Sequence, residues 1–324
     1  MMKLSTFVIA LAGALAILPG SAAAQAYPLR KPIRFMVPFA PGGGSDVVAR
    51  IIAVDLGKNL GQQLIIDNRA GAQGVVGTTI VSQSAPDGYT IMLAHVGTIG
   101  MNPWLFKNIY DPVRDFTHIT LATSQPTVVV VNPTVPAANL QALIALAKAK
   151  PGGMTFASGS TIGQLSGEYL LLLTGTKMLH VPYKGGSQAI LDVVSGRVDL
   201  VFGSLPASLP MVKAGKVKVL AVAGPKRLPA IPDVPTAKES GLPEFDVDVW
   251  YSIAGPAKMP RDIVTKLNTE IRRVLELPAV KEKLIAQGVE AATNTPEQMT
   301  AMVVAEHKRW GKVVKTAGLE GAEK

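Results

Sequence analysis

Residues 38–46 read Pro-Phe-Ala-Pro-Gly-Gly-Gly-Ser-Asp and directly follow an apolar run at residues 33–37. Beyond this loop, apolar side chains recur every fourth residue over 48–60, which predicts a helix ending at Gly61. Glycines let backbone amides approach a ligand, and a helix start leaves N–H groups unpaired, so the loop is a candidate anion site. It is neither a Walker A loop nor a dinucleotide fingerprint, because no Gly-Lys-Ser/Thr follows and Val47 replaces the third glycine. A plain glycine-rich turn would give the same pattern.

A second loop of small residues occupies the same position between a strand and a helix. Residues 157–163 read Ala-Ser-Gly-Ser-Thr-Ile-Gly and follow an apolar run. Two such loops, one in each half of the chain, predict a ligand held between the halves, because ligands bind at the carboxyl ends of strands in open sheets. A third segment, residues 180–187, would bring Tyr183 and Lys184 to the same edge. A structural loop with Lys184 in water is the alternative.

The order of apolar runs and helical patterns indicates the fold class. Short runs rich in β-branched residues alternate with amphipathic stretches, which favours parallel, doubly wound α/β sheets. The chain length predicts two domains. Proline-rich segments at residues 125–136 and 225–243 are the candidate crossings between them. The predicted strands lie at residues 33–37, 64–66, 89–93, 127–131, 154–157, 198–202 and 217–223.

The first 26 residues have the features of a secretory signal peptide. Lys3 supplies the positive charge, residues 7–18 are apolar, and Ala24-Gln25-Ala26 fits a cleavage site after Ala26. No later segment has the roughly 20 apolar residues that a membrane span needs. We therefore expect an exported, soluble protein.

Composition excludes several kinds of chemistry. The chain has no cysteine and only four scattered histidines, so we expect neither a thiol nucleophile nor a metal site. The formal net charge of +9 would suit an anionic ligand. No run of five basic residues occurs, and export separates the chain from nucleic acid, so no nucleic-acid partner is expected.

A secreted serine esterase or amidase is the alternative function. Residues 185–189 read Gly-Gly-Ser-Gln-Ala, one residue short of a nucleophile elbow, and either Ser160 or Ser187 would be the nucleophile. Nothing in the pattern brings His180 and Asp192 to Ser187. A structural or adhesive exported protein remains a further possibility.

Many short motifs in order resemble one known family, the periplasmic substrate-binding proteins of tripartite tricarboxylate transporters, also called Bug receptors. The resemblance covers nearly the whole sequence after the leader. Its motifs are Tyr27-Pro28, Lys31-Pro32-Ile33, residues 38–43 with Asp46, Asp67-Asn68-Arg69 with Gly71, residues 86–90, Asn102-Pro103, Asp115-Phe116, residues 182–185, residues 232–236 and Trp250.

The resemblance implies a two-lobed α/β clamshell of the type II periplasmic-binding-protein class. Each lobe would be a doubly wound, mostly parallel sheet, and the chain would cross between lobes twice. The first lobe would comprise residues 27–125 and 247–324, and the second lobe residues 126–246. Such a protein is a solute receptor without cofactor, metal or catalytic residues.

The family also implies a ligand, partners and a site. Two strand-to-helix loops would grip a carboxylate of a small organic anion, and membrane transporter subunits would recognise the closed, monomeric receptor in the periplasm. Gln164 stands where the family often has histidine, and Gly203-Ser204 where an acidic residue or asparagine is common, which favours amine-free acids as ligands. The expected ligand-binding residues are Phe39, Ala40, Gly42, Gly43, Gly44, Ser45, Asp46, His95, Gly97, Thr98, Ser158, Gly159, Ser160, Thr161, Gln164, Tyr183, Lys184 and Ser204.

Overall fold

The computed structural model describes Tyr27, residues 31–316 and residues 318–322. The predicted leader and its cleavage site after Ala26 lie outside the described residues. Within them, strands and helices alternate as the apolar pattern predicts. The strands are β1 (Ile33–Val37), β2 (Leu64–Asn68), β3 (Thr90–His95), β4 (Phe116–Val131), β5 (Thr155–Ser158), β6 (Leu179–Pro182), β7 (Leu200–Ser204), β8 (Lys218–Ala223), β9 (Asp248–Pro256) and β10 (Glu290–Ala291). The helices are α1 (Gly44–Leu60), α2 (Val75–Ser82), α3 (Asn102–Leu105), α4 (Leu140–Ala149), α5 (Thr161–Thr174), α6 (Gly186–Val194), α7 (Leu205–Lys213), α8 (Arg261–Glu276), α9 (Pro278–Ile285) and α10 (Pro296–Thr316).

The first lobe is built on a sheet with the strand order β2-β1-β3-β9-β4. Strands β1, β2 and β3 are parallel, and β9 runs antiparallel to both β3 and β4. The short strand β10 pairs with β4 as well. Strand β1 is almost fully buried, which explains why its sequence is a continuous apolar run.

The second lobe repeats this arrangement with the strand order β8-β4-β7-β5-β6. Strands β5, β6 and β7 are parallel, whereas β4 runs antiparallel to β7 and β8. Helices α6 and α7 pack on one face of this sheet. Their buried side chains and those of the strands beneath form an apolar cluster that includes Val130, Ile190, Val201 and Leu209.

One long strand connects the two lobes. Strand β4 pairs with β9 as far as Pro126 and with β7 and β8 from Thr127 onward. The return crossing lies beside it, because Val247 accepts a hydrogen bond from the Thr127 N–H (2.9 Å) and donates its own N–H to Ala223 (3.0 Å). The predicted α/β clamshell is confirmed. Its sheets are mixed because the crossing strands β4 and β9 run antiparallel to their neighbours.

Four helices follow parallel strands through short loops. Their N-termini therefore lie at the carboxyl ends of the strands, on the side of each sheet that faces the cleft. Helix α1 follows β1, α5 follows β5, α6 follows β6 and α7 follows β7. Helix α1 ends at Gly61, whose φ of 65° is left-handed and therefore favours glycine. Among the described residues, none of the helices combines the length and the hydrophobicity that a transmembrane span requires.

Candidate functional site

A cavity of about 50 Å³ lies between the two lobes, at the carboxyl ends of the strands. Both predicted loops reach it: Gly43, Gly44 and Ser45 come from the first lobe, and Gly159 and Ser160 from the second. The central expectation of the sequence, that the two loops share one gap, is therefore met by the geometry. The cavity is lined by Phe39, Gly43, Gly44, Ser45, His95, Val130, Gly159, Ser160, Ile162, Gly186, Ile190, Val201, Phe202, Gly203, Ser204, Ala207, Ser208, Val249 and Tyr251.

Four helix N-termini surround this cavity. The N-cap residues of α1, α5, α6 and α7 are Gly43, Ser160, Gly185 and Ser204, and none of these side chains caps its helix. Side-chain caps normally satisfy the first N–H groups of a helix. Uncapped N–H groups and four helix dipoles therefore make the cavity attractive to negative charge without any cationic side chain.

One wall of the cavity is aromatic and holds the buried histidine His95. Its ring lies 5.3 Å from the rings of both Phe39 and Tyr251. The Gly97 N–H donates to His95 Nδ1 at 2.9 Å, so the neutral ring carries its proton on Nε2. Burial lowers the pKa of His95 to about 3, so the imidazole stays neutral at physiological pH and acts as a hydrogen-bond donor rather than a cation.

Within the part of the chain that the structure describes, no charged side chain lines the cavity. Its polar groups are hydroxyls, the His95 ring and backbone N–H groups, and the rest of the lining is apolar. The arrangement can bind an anion through dipoles, but it offers no carboxylate to an ammonium group. Among the described residues there is also no cluster of three or more histidine, aspartate or glutamate side chains that could hold a metal ion.

Some expected binding residues instead organise the loops around the cavity. Gly42 has a left-handed φ of 75°, and its N–H donates to Asp46 Oδ2 at 2.9 Å. Asp46 also accepts from Arg50 (2.9 Å) and Asn68 (3.1 Å). Burial raises the pKa of Asp46, but these hydrogen bonds outweigh it and the net pKa is lowered. The carboxylate thus holds the glycine loop in shape rather than facing the cavity.

Other expected residues join the two lobes to each other. Thr161 donates to Asn102, and Gln73 Nε2 donates to Gln164 Oε1 at 2.8 Å. These two hydrogen bonds connect α5 of the second lobe to the first lobe. The two lobes also approach each other closely at two glycines of this interface. A Cβ at Gly97 would contact Thr161, and a Cβ at Gly185 would contact Ala40.

A further hydrogen bond crosses the cleft beside the first loop. Ser187 Oγ of α6 donates to the Pro41 carbonyl at 3.0 Å. Together with the hydrogen bonds of α5, this contact shows that the structure represents a closed arrangement of the lobes.

The remaining expected residues lie outside the cavity lining. Thr98 donates to the His95 carbonyl at 3.0 Å, and Ser158 Oγ lies 2.7 Å from His180 Nε2. The Tyr183 hydroxyl donates to Asp192 at 2.7 Å, and Lys184 is exposed. These residues support the loops or face solvent in this closed arrangement.

Sequence reasoning missed the part of the lining that lies deep in the second lobe. Val130, Ile190, Val201 and Ala207 come from four different elements, and none carries a polar motif. Tyr251, on β9, was missed for the same reason. The sequence offered one weak signal for this part of the lining. Val201 precedes Gly203 by two residues on one strand, so both residues lie on the same face of the sheet.

The geometry does not favour a serine hydrolase. Ser187 donates to a carbonyl of the opposite lobe, and among the described residues no hydrogen bond joins Ser160 to a histidine. The serine–histidine pair present is Ser158 with His180, but Ser158 is 2% exposed and does not line the cavity.

Comparisons with known proteins agree with this architecture. A profile described as "Tripartite tricarboxylate transporter family receptor" matches residues 48–319. The chain is 36% identical over 301 residues to Protein BugT of Bordetella pertussis, which covers 91% of each protein. It is similar to the solved structure of R. palustris Rpa4515 with adipate, with 34% identity, a TM-score of 0.87, and coverage of 90% of this chain and 98% of that one. It is also similar to MatC (Rpa3494) from Rhodopseudomonas palustris with bound malate, with 33% identity, a TM-score of 0.83, and coverage of 89% and 100%.

Proposed function

The chain belongs to the tripartite tricarboxylate transporter receptor family, as its motifs predict, and we propose that it binds a small organic carboxylate between its lobes. The observation that carries this proposal is the meeting of four uncapped helix N-termini on one cavity between the lobes. Adipate in Rpa4515 and malate in MatC are carboxylates held by related proteins, and they support the same ligand chemistry here.

The carboxylate would lie among the N–H groups at residues 43–45 and 159–161. Hydrogen bonds to a charged group contribute about 1.5–3 kcal/mol each. After the costs of association, three or four of them are compatible with an affinity of roughly 1 μM, or about −8 kcal/mol. His95 Nε2 and the hydroxyls of Ser160 and Ser204 are further donors for the same ligand.

Closure of the lobes would couple binding to transport. The proposed lobe boundaries are residues 125–126, within β4, and residues 246–247, immediately before β9. Bending of the chain at these two positions would open the cleft. A ligand favours closure only if it touches both lobes in the closed form. The membrane subunits of the transporter would then recognise the closed receptor in the periplasm, where it acts as a monomer after removal of residues 1–26.

No bond of the ligand is broken in this proposal. An esterase using Ser160 predicts ester turnover that disappears in Ser160→Ala, whereas a receptor predicts stoichiometric binding without turnover. Titration calorimetry with purified protein, alongside an ester-hydrolysis assay, separates the two.

A thermal-shift screen identifies the ligand class. Mono-, di- and tricarboxylates, amino acids and neutral amides are compared on the same preparation. A ligand at 100 times its dissociation constant adds about 2.7 kcal/mol to the free energy of unfolding. Stabilisation by carboxylates but not by matched amides supports the proposal. If no carboxylate stabilises the protein, the proposed function is wrong.

A further inference from the structure

The second lobe has a basic end on the side opposite the cavity. Strands β5, β6 and β7 are parallel, and β8 runs parallel to them because both β7 and β8 are antiparallel to β4. The cavity lies at the carboxyl ends of these strands, so the segments that lead into the strands lie at the far end of the lobe. Hydrogen bonds join the segments there: the Gly152 N–H donates to the Lys177 carbonyl at 2.9 Å, and Lys218 Nζ donates to the Pro133 carbonyl at 3.1 Å.

These segments carry six lysines and one arginine, and all seven side chains are exposed. The segments are residues 148–154, 175–179, 195–199 and 213–218. Their only acidic residue is Asp199, which accepts hydrogen bonds from the Thr155 N–H at 2.7 Å and from its hydroxyl at 3.0 Å. We call this surface the basic face, and it consists of Lys148, Lys150, Lys177, Arg197, Lys213, Lys216 and Lys218.

Helix dipoles account for only part of this charge. Lys148 and Lys213 lie in the last turns of α4 and α7, where a cation offsets the partial negative charge of the helix end. The other five cations lie beyond the helix ends, and of these Arg197 is paired with Asp192 at 3.1 Å. The basic face therefore keeps an excess of positive charge, which attracts an anionic partner.

Two exposed leucines lie at the same end of the lobe. Of the large hydrophobic side chains that the structure describes, Leu172 and Leu179 are the two most exposed, at 75% and 59%. Leu172 lies in the last turn of α5 and Leu179 is the first residue of β6, so the two flank the segment that contains Lys177. Water does not stabilise these side chains, whereas the interface of a lipid bilayer does.

The composition of the basic face favours a lipid surface over a protein as its partner. Its four segments contain no aromatic residue, and lysine occurs six times against arginine once. Protein interfaces are enriched in aromatic residues and arginine and depleted in lysine. Clusters of about four to eight cations attract anionic lipid headgroups instead, because a diffuse layer of charge requires no fixed geometry from flexible lysine side chains.

We infer that the basic face docks the receptor on a bilayer that contains anionic phospholipids, with Leu172 and Leu179 inserted among the headgroups. The cavity lies at the opposite edge of the sheet, so the cleft stays accessible to ligand while the protein is docked. Docking holds the receptor near the membrane subunits that it is proposed to serve. This interaction does not depend on which ligand the cleft binds.

Vesicle flotation tests the docking. The protein without residues 1–26 is mixed with vesicles of phosphatidylcholine alone, or of equal parts phosphatidylcholine and phosphatidylglycerol. We expect binding to the anionic vesicles only, and its loss at about 1 M salt, where the screening length falls to about 3 Å. Absence of binding to the anionic vesicles at low salt overturns the proposal, and binding to polyglutamate in the same buffer would then indicate an acidic protein partner instead.

Lysine variants locate the surface that binds the vesicles. Lys150→Gln/Lys177→Gln should lower partitioning onto the anionic vesicles by at least about tenfold, because each cation near such a surface contributes about fivefold. The matched control, Lys283→Gln/Lys308→Gln, removes the same charge from exposed positions of the first lobe. Equal losses in the two double variants would show that net charge rather than the basic face is responsible, and would overturn the proposal.

Leucine variants test the insertion. Leu172→Ser/Leu179→Ser should weaken binding to the anionic vesicles by at least about tenfold, because two apolar side chains no longer leave water. The matched control is Val54→Ser/Leu191→Ser, which changes two similarly exposed side chains outside the basic face. Melting temperatures confirm that all variants are folded. Undiminished binding by Leu172→Ser/Leu179→Ser overturns the proposed contact with the bilayer.

Discussion

At the scale of single residues, position 44 must be glycine because of a contact between the lobes that exists only when they are closed. A Cβ at this position would overlap the Ser204 side chain of the opposite lobe, and it would lie 3.1 Å from the Tyr251 hydroxyl. The φ of Gly44 is not left-handed, so the helix itself does not need glycine there. The constraint on this residue therefore comes from closure and not from local structure.

We expect Gly44→Ala to weaken ligand binding by about tenfold, because closure would then require the Ser204 side chain to move. The melting temperature without ligand should change little. The double variant Gly44→Ala/Ser204→Gly removes the overlapping atoms and should bind as tightly as Ser204→Gly alone, which is the control for loss of the Ser204 hydroxyl. Failure of the double variant to bind better than Gly44→Ala would contradict this explanation.

The glycines of the two loops are not equivalent. A Cβ at Gly43 would lie 3.4 Å from the Ala40 carbonyl and 3.9 Å from the Gly186 nitrogen, which are ordinary contacts. A Cβ at Gly159 would overlap the backbone of Gly185 and Gly186, which cannot move as a flexible side chain can.

Gly159→Ala should therefore lower the free energy of unfolding by about 1–3 kcal/mol, in line with overpacking of a filled site. Gly43→Ala, the matched control in the other loop, should cost much less. Urea denaturation of both variants measures the difference. A stable Gly159→Ala variant would mean that the 185–186 loop yields easily.

At the scale of elements, helix α5 contributes both to the cavity and to the interface between the lobes. Its first turn supplies N–H groups to the cavity, while Thr161 and Gln164 bond to the first lobe. Gln164 does not line the cavity. Its hydrogen bond to Gln73 should therefore influence affinity through the closed population alone.

We expect Gln164→Ala to raise the dissociation constant about fivefold, because one net hydrogen bond of the closed form contributes about 1 kcal/mol. Gln141→Ala is the matched control: it removes a 2.6 Å hydrogen bond to the Ser240 carbonyl within the second lobe. Calorimetry gives the affinities, and small-angle scattering without ligand should show a more open average shape for Gln164→Ala only. Equal effects of the two substitutions would refute a role in closure.

At the scale of the whole molecule, the histidines link stability to pH. All four, His95, His118, His180 and His307, have lowered pKa values because burial disfavours the charged ring. Near pH 6.5 the unfolded chain binds protons that the folded chain does not yet accept. Stability is therefore complete above pH 6.5 and decreases as the pH falls toward the folded-state values.

For His95 alone, we expect a loss of about 1 kcal/mol of unfolding free energy between pH 6.5 and pH 5.5. Denaturant titrations at both pH values measure the change. His95→Gln should show a shallower dependence on pH than the wild type, whatever its absolute stability. A stability that is flat over this range would contradict the neutral, buried imidazole.

The sequence alone determined features that depend on neighbours along the chain. The stop of α1 at Gly61 follows a local rule, and the structure confirms it. The reciprocal Thr295–Gln298 hydrogen bonds of 3.0 and 3.2 Å at the start of α10 are likewise made between neighbours along the chain. The apolar pattern predicted the α/β class and the two loops, and the family motifs implied the two-lobed clamshell. The predicted strand at residues 127–131, however, is only the last part of the 16-residue β4.

Only the tertiary structure decided what the cavity is made of. Apolar residues of β4, β7, α6 and α7 line it, and in the sequence these residues look like ordinary core positions. Likewise, Asp46, Gln164 and Tyr183 have polar side chains that would suit a ligand, but each finds a partner in the protein. Whether a side chain meets a ligand or a neighbour depends on contacts between distant segments, and local sequence patterns do not encode those contacts.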